Sequence, residues 1–460
     1  MVYYEHATKK LTDSHAFSNS RPYVDTCQDW QLESAELAGG QLSVTVTRKL
    51  VTGDAQDRVF LNDAALPLLS TPVIAAWGDS AEIMYHGAED RVQGRVRFFA
   101  SGEVTTPATA SGIDVIRANS SVQRAVVTVK DYEIPAKQTI YKRTCFNVSD
   151  FIEEELTDDL VHHAVAFEPY VHEGSERHVH HFVVHAKHEL CDGMLYSDED
   201  MNAVWVWAPG TGSTVLPEDA GFRLLNGGFK SLVLEIHYDN PTKKAGVIDH
   251  SGFIMYHTPV LRKFDAGILQ IGDPAVWMYR QQGLSKQVVP TVKGTGWSSV
   301  IFDSGNCTDY FVDEEVTVWA RFLHMHKLGQ KMVVDQFRDD KKLRTDTVEF
   351  YDFDQAGGFN PPSVGAGFSI KKGDKFTSRC FYFVPGTSEG TATFGPGSED
   401  EMCIDFLYYY PAQPVPHSNM CVVGAIGSLV KHEVLEGPEP LGWTFGGQCT
   451  SGAARASVGA

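Results

Sequence analysis

The chain has 460 residues, 43% of them hydrophobic and 21% charged, enough for two or three domains with full cores and ordinary for a globular protein. A formal net charge of -20 makes a poor nucleic-acid surface, because phosphate contacts need clustered Lys and Arg. No apolar stretch reaches bilayer-spanning length, and the sequence carries no P-loop, no GxSxG, no HExxH and no GxGxxG after a strand.

In chain order, residues 1–10 are polar and charged and do not read as a signal peptide. A first section, near 27–128, offers short strands at 41–47, 73–77, 83–86 and 95–99, the texture of a β-sandwich. A second section ends near 241, with strands at 161–168, 179–185, 203–207 and 232–238. A third runs from about 252 to 423, with strands at 316–324, 333–337, 376–383 and 404–410. Helical periodicity is absent throughout, so the expected class is all-β. The tail after Gly424 is weakly patterned, and its last ten residues are expected to be mobile.

Eight cysteines (Cys27, Cys145, Cys191, Cys307, Cys380, Cys403, Cys421, Cys449) lie far apart with no CxxC pair. That argues against zinc ribbons and thioredoxin-like motifs and fits disulfides in an oxidising compartment. Glycosylation sequons at Asn119, Asn147 and Asn306 agree. Secretion without a visible leader predicts a truncated or processed N-terminus.

The histidines cluster. His162 and His163 are adjacent, His172, His178, His180, His181, His185 and His188 follow, His237 sits in LEIHYDNP, and His324 and His326 form HMH. On a strand, residues i and i+2 share a face, so HMH can offer two imidazoles to one metal ion. Zinc, copper, iron and nickel all accept imidazole. His180 and His181 are neighbours that a flat strand would point apart. They can share an ion only across a twist or bulge, or through different ring nitrogens, and His178 with His180 has the simpler spacing. Met402 matters as a ligand only for a soft metal, above all Cu(I). Glu153, Glu154 and Glu155 read as a solvated face.

Six blocks, VHHAVAFEPYVHEGSERHVHHFVVH, VWAPGTGSTVLPEDAGF, LEIHYDNP, SGFIMYHTPVLRKFDAGI, RFLHMHKLG and SEDEMCIDFLYYYP, together resemble in order the copper type II ascorbate-dependent monooxygenases. The dopamine β-hydroxylase branch is the nearer match and peptidylglycine α-hydroxylating monooxygenase the more distant, over about residues 130–425. CQDWQL, VIAAWGD and IMYHG in the first section resemble a DOMON domain. The resemblance implies a DOMON-like β-sandwich at 20–128, two copper-binding antiparallel β-sandwich domains at 129–245 and 246–428, and a tail at 429–460.

It also implies two copper ions, ascorbate as reductant and O2 as co-substrate. The electron-transfer copper falls to His180, His181 and His237, and the catalytic copper to His324, His326 and Met402. His178 becomes a neighbour, and His162 and His163 pack or hydrogen-bond. The implied reaction is hydroxylation of an activated C–H bond in a small, aromatic amine. Glu235, two residues before His237, matches a glutamate of that branch and could pair with a cationic amine. The amidating enzyme has an arginine two residues before its HxH. Here Phe322 stands there, and Arg321 beside it would face away from His324, which disfavours a peptide substrate. Phe406 replaces a tyrosine of both relatives.

The implied disulfides are Cys380–Cys403, Cys307–Cys421 and Cys145–Cys191, leaving Cys27 with Cys449. The expected setting is secreted or luminal, with a small-molecule substrate and a homodimer among the assemblies compatible with it. The rival readings are peptidylglycine-type hydroxylation and a non-catalytic secreted copper- or ligand-binding protein.

Overall fold

The computed structural model describes residues 1–15, 22–49, 71–78, 90–96, 112–272, 297–348, 368–383, 401–415, 419–421, 430–434 and 455–458, apart from short gaps at 138, 177, 192–201, 208–211 and 241, together with a few single positions. These residues are overwhelmingly β-strand, and the one α-helix among them is Gly112–Ala118. The chain divides into two compact units, 1–105 with 437–460, and 106–436.

In the first unit, strands Gln31–Ala38 and Gln41–Lys49 form an antiparallel hairpin, and Arg455–Val458 pairs with the second of them. Residues from the far C-terminus thus complete a sheet begun near the N-terminus. Of the expected strand at 83–86, residues 84–86 fall outside the described residues.

The second unit holds four larger sheets. One orders the strands Thr139–Asn147, Ser231–Asp239, Val179–Lys187 and Asn202–Trp207 side by side, all antiparallel. Strand Val179–Lys187 alternates as a half-buried strand should: Phe182, Val184 and Ala186 face the core, while His181, Val183 and His185 take the other face. Its neighbour Ser231–Asp239 is buried along almost its whole length, as its sequence SLVLEIHYD suggests. A second sheet carries Val161–Tyr170 beside Gly252–Thr258.

Glu315–Met325 lies between Ser369–Lys371 and Cys403–Tyr410 in a five-stranded sheet. The two faces of its Phe322–Met325 stretch have different destinations. Phe322, with Ile404, Phe406 and Tyr408 across from it, enters the core that also contains Phe182, Trp205 and Leu234 of the preceding half. Leu323 and Met325, with Cys403 and Leu407, enter a second core belonging to the later half alone. The two halves of this unit therefore share one hydrophobic core. Across it the Tyr408 hydroxyl donates to the Ala203 carbonyl at 2.9 Å.

The bridges Cys145–Cys191, Cys307–Cys421 and Cys380–Cys403 are all formed. Cys27 is also disulfide-bonded, and its expected partner Cys449 lies outside the described residues.

Candidate metal centres

His181 and His237 stand opposite each other on adjacent strands, and the register slips between Val179 and His181. That irregularity is the local distortion that lets consecutive histidines converge. His180, His181 and His237 each offer one ligand atom, and all three atoms lie within 4.8 Å of one another. Their ring centroids are 4.7–5.3 Å apart. Tyr141, opposite His237 on the edge strand, stacks on it at 4.6 Å and 9°. His178 stays outside this cluster, with Nδ1 3.4 Å from the Asp239 carbonyl.

Burial pulls His181 well below the ordinary histidine range, helped by the neighbouring His237, His180, His324 and His326. Burial first, then His180, takes His237 to about 3. Both rings are held neutral, the form a metal ion needs. His324 and His326 form the second histidine pair.

In that pair the rings of His324 and His326 meet edge-on at 5.0 Å. His324 is half-buried and held far below its usual range by burial and then by His326, and its Nδ1 atom is shielded from solvent with no hydrogen-bond partner among the described residues. A buried imidazole nitrogen without a partner is costly unless something coordinates it. His324 pairs with Ile404 and Met325 with Cys403, so continuing the ladder by one residue sets Met402 across from His326.

Several groups fix this corner. The Glu401 carboxylate accepts from the backbone N–H of His326 at 3.0 Å and of Leu328 at 2.6 Å. The Tyr382 hydroxyl donates to the Met402 carbonyl at 2.8 Å, and Tyr351 donates to the Met325 carbonyl. Cys380–Cys403 ties the strand that follows Met402. Gly329 closes the turn after HMH at the one place a side chain would not fit, since an added Cβ would meet Met325 Cβ at 2.6 Å. Three imidazoles in one set and two in the other are donors that suit copper.

Glu235 is already paired. Its carboxylate meets the Arg143 guanidinium opposite it on the edge strand. Arg321 points away from His324, as alternation requires, and its guanidinium is buried against Asp405 and Asp346. Phe322 stacks on Phe406 at 6.0 Å, and both lie within 6.1 Å of the His324 ring.

His162 and His163 hydrogen-bond within the fold. Nδ1 of His162 lies 3.1 Å from Nδ1 of the buried His257, so one ring donates and the other accepts. His163 lies 2.9 Å from Asp265. Burial, then His162, takes His257 to about 4, and burial lowers His162 as well. A histidine depressed below its unfolded value of about 6.5 contributes stability that is fully present above that pH and is lost as the pH falls toward 4. Unfolding free energy should therefore drop by on the order of 3 kcal/mol across that window. Denaturant titrations at pH 7, 5.5 and 4 check it, and a His257→Phe variant with an unchanged pH slope would refute it.

Sequence reasoning missed Glu401, Tyr141, Arg143 and His257. Tyr141 and Arg143 alternate in TIYKRTCFN, a strand pattern that a search for period two could have found.

Comparison with known families matches residues 125–245 to the N-terminal domain, and 265–426 to the C-terminal domain, of copper type II ascorbate-dependent monooxygenases. Among individual relatives, tyramine beta-hydroxylase of Caenorhabditis briggsae is 26% identical over 439 residues, 90% of this chain and 68% of that protein. Dopamine beta-hydroxylase of Equus caballus is 27% identical over 413 residues, 85% and 61% respectively. DBH-like monooxygenase protein 1 of Gallus gallus is 26% identical over 433 residues, 87% and 63%. The chain spans about two thirds of the length of these relatives. With both domain models matched in order across more than half its residues, the chain belongs to the copper type II ascorbate-dependent monooxygenase family.

Proposed function

We propose that this chain is an ascorbate-dependent copper monooxygenase that uses O2 to hydroxylate an activated C–H bond of a small aromatic amine. In this reading His180, His181 and His237 hold one copper, and His324, His326 and Met402 hold the other. Copper bound there supplies one-electron redox chemistry and O2 activation. The observation that carries the reading is the His324–His326 pair on one strand face, with Met402 next in register on the neighbouring strand.

The chain's own residues do the positioning. Glu401 and Tyr382 hold the backbone of His326 and Met402, so the thioether and the imidazoles keep one arrangement. Tyr141 restrains the His237 ring by stacking on it. Phe322 and Phe406 give the second histidine pair an apolar wall, suited to an aromatic ring and poor for a charged group. The names of the relatives, tyramine and dopamine beta-hydroxylase, support an arylalkylamine.

Glu235 is not a free carboxylate for the amine, because Arg143 already balances it. Amine recognition through Glu235 therefore requires a shared or exchanged pair. The committed guanidinium of Arg321 leaves no carboxylate anchor at the position where a peptide substrate would need one.

An oxygen-uptake assay with ascorbate should show turnover of tyramine-like amines that exceeds that of a glycine-extended peptide. Faster turnover of the peptide would overturn the substrate assignment. Three bridges in place, and no helix among the described residues long and apolar enough to cross a membrane, suit a secretory compartment. Asn119 and Asn306 are exposed, as glycan acceptors must be. We further read the first unit as a DOMON-like domain on the strength of its sequence motifs.

A further inference from the structure

Where the matched N-terminal domain gives way to the C-terminal one, a cleft of about 420 Å3 is lined by His163, Arg223, Arg262, Lys263, Phe264 and Asp265. Three permanent cations face one carboxylate there, in a chain whose net charge is -20. The carboxylate is already engaged. His163 Nδ1 accepts the Arg262 backbone N–H at 3.1 Å, so the ring proton sits on Nε2, which donates to Asp265 at 2.9 Å. Arg223 lies 3.5 Å from the other Asp265 oxygen. Its hydrogen bond from His163, more than the burial that opposes it, holds Asp265 below the usual carboxylate range.

The other two cations have no such match. One amino group of Arg262 donates to the carbonyls of Leu216, Pro217 and Ala220 at 3.1, 2.6 and 2.8 Å. Carbonyls satisfy N–H groups but do not cancel a charge. No carboxylate among the described residues comes within ion-pairing distance of it. Burial pulls the guanidinium below its ordinary value, with Glu218 only partly opposing. The Lys263 ammonium lies over the Phe264 ring, 4.7 Å from its centroid, and makes no ion pair among the described residues.

We propose that this cleft binds a small organic oxyanion, either the enolate of ascorbate or a carboxylate, through Arg262 and Lys263. The volume suits a ligand of that size. Locally positive clefts on acidic proteins concentrate anions that the rest of the surface repels. The site stands on its own geometry and does not depend on the copper assignment, so the test uses copper-free protein.

Calorimetric titration of the copper-free full chain at low ionic strength, with sodium ascorbate and separately with sodium succinate, should show binding that weakens with salt. Lys263→Glu should weaken it by roughly tenfold, and Asp265→Asn, which removes the one negative charge, should tighten it. Binding of ascorbate alone identifies the reductant as occupant, binding of succinate alone identifies a carboxylate, and mutual competition identifies one pocket for both. If Lys263→Glu fails to fold, Lys263→Gln reads the same contact with a smaller loss. No heat with either anion, Lys263 variants that bind like the parent, or weaker binding in a folded Asp265→Asn variant would each overturn the proposal.

Discussion

Replacing His326 with alanine should abolish ascorbate-dependent hydroxylation and lower bound copper from two ions per chain to one. His326 is buried, its ring meets His324 edge-on, and Met402 is the next residue in register across from it. Removing it leaves one imidazole and one thioether, too few donors to hold copper in a defined geometry. Loss of outer-sphere partners alone typically costs 10–100-fold, so loss of a direct ligand should exceed about 100-fold in turnover. Copper analysis by mass spectrometry and oxygen uptake read the two effects separately. The His180, His181 and His237 site should keep its metal, because none of its ligands changes. Met402→His is the informative companion: copper should stay, but an imidazole in place of a thioether should shift its preference away from Cu(I). A His326→Ala protein with full activity would refute the assignment of this site.

Asp405→Asn should destabilise the second unit by on the order of 3–5 kcal/mol. Arg321 and Asp405 lie on adjacent strands, with Arg321 Nε 3.3 Å from one Asp405 oxygen and its outer amino group on the other. Burial works against the Arg321 charge, yet Asp405 and Asp346 together hold the guanidinium above its ordinary value. Asparagine keeps the shape and removes the charge, which leaves a buried guanidinium with Asp346 alone. The pair also pins the strand of His324 against the strand that follows Met402, so part of the cost should appear as weaker copper retention. Denaturant unfolding decides the main point, and a loss under about 1 kcal/mol would show that water or Asp346 compensates.

Much of this arrangement was legible in local patterns. HMH needs only the two-residue period of a strand to put both rings on one side, and the strands expected at 179–185, 232–238, 316–324 and 404–410 appear as Val179–Lys187, Ser231–Asp239, Glu315–Met325 and Cys403–Tyr410. The same period correctly turns Arg321 away from His324. Spacing alone could not choose between His178 and His181 as the companion of His180, because the answer lies in a register slip that only the pairing with the His237 strand reveals. Glu235 illustrates a second limit. Its partner Arg143 lies 92 residues earlier, and no local pattern joins them. Cross-strand charge pairs of this kind are set by topology, which is why a carboxylate that looked free for a ligand turns out to be matched within the sheet.

The core shared between the two halves bears on how this protein breaks. Phe322, Ile404, Phe406 and Tyr408 fill the same interior as Phe182, Trp205 and Leu234, so separating the halves would expose aromatic and aliphatic side chains on both sides at once. Loss of packing in one half should therefore weaken the other. For a chain whose paired histidine sets belong to different halves, that seam makes damage to either half a loss for both.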